Sequence, residues 1–143
     1  MNTQLIQKAR QLIYYTRVMT IAVCQKGIPW SAPVYFVFND HGFYFFSNEN
    51  SKHIQAAKDK LAASIFHDSD RIESIFGFQM SGTISEITEK KQYLKIVRLY
   101  VAKFDFLRNI FGPQVIENQQ FFSEIFKSRL YCFHPELVFL SDN

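Results

Sequence analysis

From Trp30 to Phe38 the chain is apolar on both faces of an extended strand. Trp30, Ala32, Val34, Phe36 and Phe38 alternate onto one side, and Pro33, Tyr35 and Val37 onto the other, since successive side chains of a strand point to opposite faces. Neither face is built for water. Asn39, Asp40, His41 and Gly42 then supply turn chemistry: Gly42 tolerates positive φ, and Asn39 and Asp40 can bond their own backbone. Phe43 to Phe46 returns as the partner strand. The sequence thus predicts a hairpin buried on both faces, in a barrel wall or under a partner subunit, because an open sheet with one wet face would alternate apolar with polar residues.

The hairpin runs into a polar loop, Ser47, Asn48, Glu49, Asn50, Ser51 and Lys52. His53 to Lys60 reads as a short helix with Ser51 at its N-cap. A helix N-terminus offers unpaired N–H groups and partial positive charge to an anion. Ser47, Ser51 and Lys52 each add a donor, so the loop has the composition of a phosphate cradle. The same residues also suit a plainer role, with Ser51 only capping the helix and Lys52 solvated, and the context decides between the two.

Elsewhere the order is α+β, without repeats or linkers. Leu5, Ala9, Leu12 and Ile13 mark an N-terminal amphipathic helix capped by Asn2 or Thr3. Met19 to Cys24 is a strand, turned by Lys26-Gly27 into the hairpin. Leu61 to His67 and Phe76 to Ile87 are further strands, with a polar loop from Asp68 to Ser74 between them. Gly82 inside the second marks a bulge, a bend or the close approach of a backbone or ligand. Helical spacing over Glu89 to Phe104 puts Leu94, Val97, Val101 and Phe104 on one stripe. Gly112-Pro113 interrupts, Glu117 to Phe126 reads as a short helix, and Arg129 to Phe133 and Leu137 to Leu140 close the sheet around a His134-Pro135 corner. Strands at both ends and helices in the gaps favour a Greek-key barrel over a doubly wound parallel sheet.

In order, SAPVYFVF (31–38), FYFFS (43–47), ENSKH (49–53), LAASIFHD (61–68), FGFQMSGTIS (76–85) and YCFHPELVFLSDN (131–143) resemble the pyridoxamine 5'-phosphate oxidase-like split-barrel flavoproteins, in particular a small bacterial group of single-domain members. The resemblance implies one α+β, mainly β, FMN-binding split barrel over residues 1–143, an antiparallel barrel with peripheral helices. It implies FMN in a groove between the two subunits of a homodimer. The phosphate contacts would be Ser47, Ser51 and Lys52, with Asn50 where many relatives carry an arginine. Pro33, Val34 and Tyr35 would line the flavin ring, and Gln79 would reach its polar edge from the neighbouring subunit. The implied activity is FMN-dependent oxidoreduction of a small molecule. Pyridoxamine phosphate oxidase holds its substrate with a basic C-terminal segment; this chain ends at Asn143 without one, so vitamin B6 oxidation is not expected. Two other readings stay open: a flavin-binding module without turnover, and a haem-binding or haem-processing relative with His41, His53, His67 or His134 as axial ligand.

Composition narrows the remaining classes. At 143 residues the chain is one domain in size. Its 16 Phe exceed what a small barrel encloses, so some aromatic surface is expected to meet a partner subunit. A net charge of +3 with no basic run beyond Lys90-Lys91 and no nucleic-acid-binding signature gives no reason to expect a nucleic-acid partner. No apolar run approaches the ~20 residues that cross a bilayer, and MNTQLIQKARQLI lacks a signal-peptide core; cytoplasmic residence, away from membranes, is expected. Cys24 and Cys132 fit that compartment as free thiols packed in strands. A catalytic pair of cysteine with His53 or His134 is conceivable, but the sequence does not bring them together. His67, Asp68 and Asp70 read as a solvated turn, and no metal is predicted.

Overall fold

The structure, a computed structural model, describes residues 3–72, 75–106 and 127–142. The elements follow in the order α1 (Thr3–Tyr15), β1 (Val18–Gln25), β2 (Ile28–Tyr35), β3 (Val37–Asn39), β4 (Gly42–Ser47), α2 (Lys52–Gln55), β5 (Leu61–His67), β6 (Phe76–Glu86), α3 (Lys90–Lys103) and β7 (Arg129–Asp142). The seven strands form one antiparallel sheet in the order β2-β1-β5-β6-β7-β4-β3.

That order closes the barrel by itself. β2 ends at Tyr35 on one edge of the sheet, and β3 begins at Val37 on the other. Only Phe36 lies between, so the sheet must curl until its two edges meet there. Phe36 N–H donates to Arg17 O at 3.2 Å. Lys103 Nζ donates to Phe36 O at 2.9 Å and to Thr16 O at 2.7 Å, clamping the crossing from α3. The predicted hairpin is therefore corrected. Its first strand is two strands that belong to opposite edges, and the true hairpin is β3–β4 alone.

The two halves of the apolar run also meet different environments. Phe43 and Phe45 of β4 point into the barrel with Met19, Ile21, Phe36, Ile65, Phe78 and Phe133, while α1 packs Leu12 against this core. The opposite side of the β3–β4 hairpin, Val37 and Tyr44, lies beneath Tyr93, Ile96, Val97, Tyr100, Val101 and Phe104 of α3. The helix stripe is thus shifted from the predicted one, with Leu94 half-buried. Glu89 caps α3, its carboxylate accepting from Lys91 N and Gln92 N. On β2, by contrast, Trp30, Pro33 and Tyr35 are exposed.

Local backbone explains the turns. Both two-residue hairpin loops have left-handed residues, Lys26 (φ 53°) and Gly27 (φ 77°), then Asp40 (φ 46°) and His41 (φ 68°), the geometry that matches the twist of the flanking strands. Gly42, predicted to supply positive φ, is instead needed for space: a Cβ there would lie 2.5 Å from Cys132 Sγ. Gly82 is a close approach of backbone, since its Cβ would meet His134 O at 2.0 Å. The register shifts at that point, Ser81 facing Leu137 and Gly82 facing Pro135, so Glu136 is the extra residue of a bulge. The two predicted closing strands are one bulged strand, β7. α2 is a single turn, not a helix to Lys60. The predicted helix Glu117 to Phe126 and the Gly112-Pro113 break fall outside the described residues, as does Asn2; Thr3 is the first described residue of α1.

Candidate functional site

The cradle forms where β4 ends. Pairing with Arg129 of β7 fixes Ser47 in the barrel wall, with its side chain buried. Asn48 then turns the chain, its Oδ1 accepting from Asn50 N at 2.8 Å and its carbonyl from Ser51 Oγ at 2.7 Å. Ser51 occupies the N-cap of α2 without a side-chain cap bond. The loop brings three polar atoms together: His53 Nε2 lies 2.6 Å from Ser47 Oγ and 3.4 Å from Ser51 Oγ, and the two hydroxyl oxygens are 3.3 Å apart. Burial holds the His53 pKa below its ordinary value, which favours neutral imidazole near neutral pH.

Charge around this cluster is separated. Lys52 Nζ sits over the Trp30 ring, 4.2 Å from its centroid, and no carboxylate among the described residues pairs with it. The nearest acid in the loop, Glu49, is held 3.0 Å from Arg129, which also reaches Glu86 at 3.3 Å. The Ser47 hydroxyl and the His53 imidazole, with the Ser51 hydroxyl beside them bonded to Asn48 O and the Lys52 ammonium next in sequence without a carboxylate partner among the described residues, are groups of the kind that hold a phosphate monoester. With α2 only one turn long, the side chains make this cradle, and the predicted contribution of a helix terminus is small.

The remaining predicted residues lie elsewhere on the chain. Asn50 is exposed in the loop beside the cluster. Val34 points into the core and offers a ligand only its backbone. Pro33 and Tyr35 face outward from β2. Gln79 faces outward from β6 in the same row as Pro33, joined to it through Thr20 and Ser64. Three interstrand steps separate the two, about 14 Å. Gln79 pairs with Phe139 and Ser47 with Arg129 on the same strand β7, so about 30 Å of strand lies between Gln79 and the cradle of its own chain.

Sequence reasoning missed two members of the site. His53, which the sequence offers as the first residue of a short helix, as a haem ligand or as a cysteine's partner, directly follows Lys52. Trp30 lies in a run whose pattern predicts burial on both faces; nothing local to it signals the contact with a residue 22 positions on. Conversely, the structure does bring Cys132 and His134 together, with Sγ 3.8 Å from Nδ1, and Ser85 Oγ 2.9 Å from Nε2. Burial pushes the Cys132 thiol up to about 11, which disfavours the nucleophilic thiolate at neutral pH. Cys24 is exposed, contrary to the packing role predicted for it.

Comparison with known proteins agrees with this architecture. The sequence profile of the family described as pyridoxamine 5'-phosphate oxidase matches residues 5–138. Among solved structures, HutZ, the haem storage protein of Vibrio cholerae, is similar with a TM-score of 0.71 at 11% identity, over 95% of this chain and 92% of that one. A FAD-binding protein from Mesorhizobium loti is similar with a TM-score of 0.65 at 15% identity, over 94% and 91%. General Stress Protein 26 from Bacillus anthracis is similar with a TM-score of 0.65 at 14% identity, over 96% and 94%. At such identities the likeness is one of fold. A search of curated proteins finds no match.

Proposed function

The chain belongs to the pyridoxamine 5'-phosphate oxidase family, and from that premise we propose that it binds FMN and serves as an FMN-dependent oxidoreductase acting on a small molecule. The observation that carries the reading is the convergence of Ser47, Ser51 and His53 at the end of β4, with Lys52 beside them in sequence and stacked on Trp30, and with the one acid of the loop drawn off by Arg129. Such a cradle reads a single terminal phosphate. Nothing in the sequence offers the glycine-rich fingerprint of a dinucleotide site, so FMN is preferred to FAD. Bound FMN would supply two-electron redox chemistry. The protein's part is to hold the phosphate through the cradle, to set the ring against Pro33 and Tyr35, and to limit water at its face.

A second copy of the chain completes the site. Across five strands the outward row Pro33, Thr20, Ser64, Gln79 and Phe139 carries no charge, nor does the next row, Ser31, Ala22, Ala62, Ser81 and Leu137. A sheet face turned to solvent would carry charged residues. Two-fold pairing through this face allows Gln79 of one copy to approach a flavin held by the other. Among the described residues no helix is long and apolar enough to cross a membrane; a cytoplasmic location accords with the two free thiols.

The test is a visible spectrum of protein purified without added cofactor, followed by titration with FMN, riboflavin and FAD. Flavin absorbance and an FMN affinity at least about tenfold above that of riboflavin are expected, the increment of one charge-assisted hydrogen bond. Haem bands would replace this reading by the haem alternative, and equal affinity for FMN and riboflavin would show that the phosphate is not read. Substrate-dependent bleaching of the bound flavin separates an oxidoreductase from a binding module.

A further inference from the structure

We infer that His53 is a proton-coupled ligand of the flavin phosphate, taking up one proton as the phosphate enters, so that the site binds FMN together with a proton. The inference rests on the FMN reading above and goes beyond it, since no relative's cofactor dictates what an imidazole beside the cradle does.

Geometry leads to it. Ser47 is buried, and its hydroxyl has two side-chain neighbours, His53 Nε2 at 2.6 Å and the more distant Ser51 Oγ at 3.3 Å, so the short bond is the one to His53. With neutral imidazole, the Ser47 hydroxyl can donate to Nε2, and its proton then points away from the cradle. Protonation of Nε2 reverses the bond: Nε2–H donates to Ser47 Oγ, and the serine proton is released toward a phosphate oxygen. One proton thus adds a cation and reorients a donor, both favouring a dianion. Burial keeps the empty-cradle imidazole neutral near pH 7, so the proton is taken up on binding.

The surrounding charges leave this titration to His53. On its own turn stands Lys52, stacked on Trp30. The loop supplies Glu49, which is paired with Arg129 of β7, itself paired with Glu86 of β6. β1 and β2 pack against α2; their only titratable side chains, Cys24 and Tyr35, belong to the outward rows of the sheet.

The test measures FMN and riboflavin affinities between pH 6.5 and 8.5, where the phosphate ester, with a second pKa near 6, is already a dianion. The dissociation constant of FMN is expected to rise with pH, by up to about tenfold per pH unit where the bound imidazole stays protonated and the free one is neutral, while that of riboflavin stays level. Calorimetry in buffers of different ionisation heat should report uptake of close to one proton. His53→Gln, which keeps a polar partner for Ser47, should abolish the slope. His53→Lys, a cation throughout the range, should keep the preference for FMN without the slope, and circular dichroism verifies that both variants fold. A pH-independent FMN preference in the wild type, or a slope that survives in His53→Gln, overturns the inference and leaves the FMN reading standing. FMN and riboflavin binding alike at every pH would instead overturn the FMN reading itself.

Discussion

At Gly82 a methyl group has no room, because the carbonyl oxygen of His134 occupies the place a Cβ would take, 2.0 Å away. Backbone, unlike a long side chain, cannot swing aside, so Gly82→Ala is expected to cost about 1–3 kcal/mol or more, read as a lowered denaturation midpoint at unchanged slope. Lys52 makes the opposite case. It is exposed and stacked on Trp30 without a carboxylate partner among the described residues, so Lys52→Ala should leave stability nearly unchanged. It should nonetheless weaken FMN by roughly 1.5–3 kcal/mol, about ten- to a hundredfold, with riboflavin unaffected in the same fluorescence titration. The thiols divide in the same way: exposed Cys24 should react with a disulfide reagent at pH 8 in the native protein, and Cys132, pushed up to about 11 by burial, only after unfolding. Two rapid equivalents in the native state would contradict that assignment.

Among the elements, those with a local cause were legible in the sequence. β5 begins and ends as its apolar alternation predicts, and α3 needs little beyond its spacing and the Glu89 cap. The break at Phe36 was not legible, because an unbroken apolar run carries no glycine, proline or polar residue there; only the pairing of β3 with β4 and of β2 with β1 reveals it. The cradle residues Ser47, Ser51 and Lys52 could be named from the loop, whereas their connection to His53 and Trp30 depends on side-chain geometry that spacing does not encode. In the β3–β4 turn, His41 holds φ 68° as a non-glycine residue, so His41→Gly should raise stability by roughly 0.5–1 kcal/mol. At the crossing, burial and Arg17 push Lys103 down to about 8 from 10.5. Between those two values the unfolded chain binds more protons, so this lysine's contribution to stability increases as pH rises from 8 to 10.5. Unfolding curves of wild type and Lys103→Met should diverge in that direction, since a neutral amine still donates to both Thr16 O and Phe36 O.

For the whole molecule, the uncharged outward rows are the basis of the proposed two-fold dimer, which is expected to bury upward of about 2,000 Å² in total. Phe139, exposed by 63% in the single chain, lies in the same row as Gln79, and Phe139→Lys should dissociate the dimer in sedimentation and abolish FMN binding with it; a dimer that persists would move the interface elsewhere. The position of β7 has a consequence for how the protein is made. Residues 43–47 pair with residues 129–133, only the first two of them having a partner in β3 as well, and β6 likewise waits for β7 along its whole length. On the ribosome, the β1–β2 and β5–β6 pairs can assemble early, but Phe43 and Phe45 have no closed interior to enter until the last strand emerges. Closure is therefore a late, long-range event, slow by the rule that distant contacts form last, and until it occurs the nascent chain presents an open, phenylalanine-rich edge to chaperones and to its neighbours.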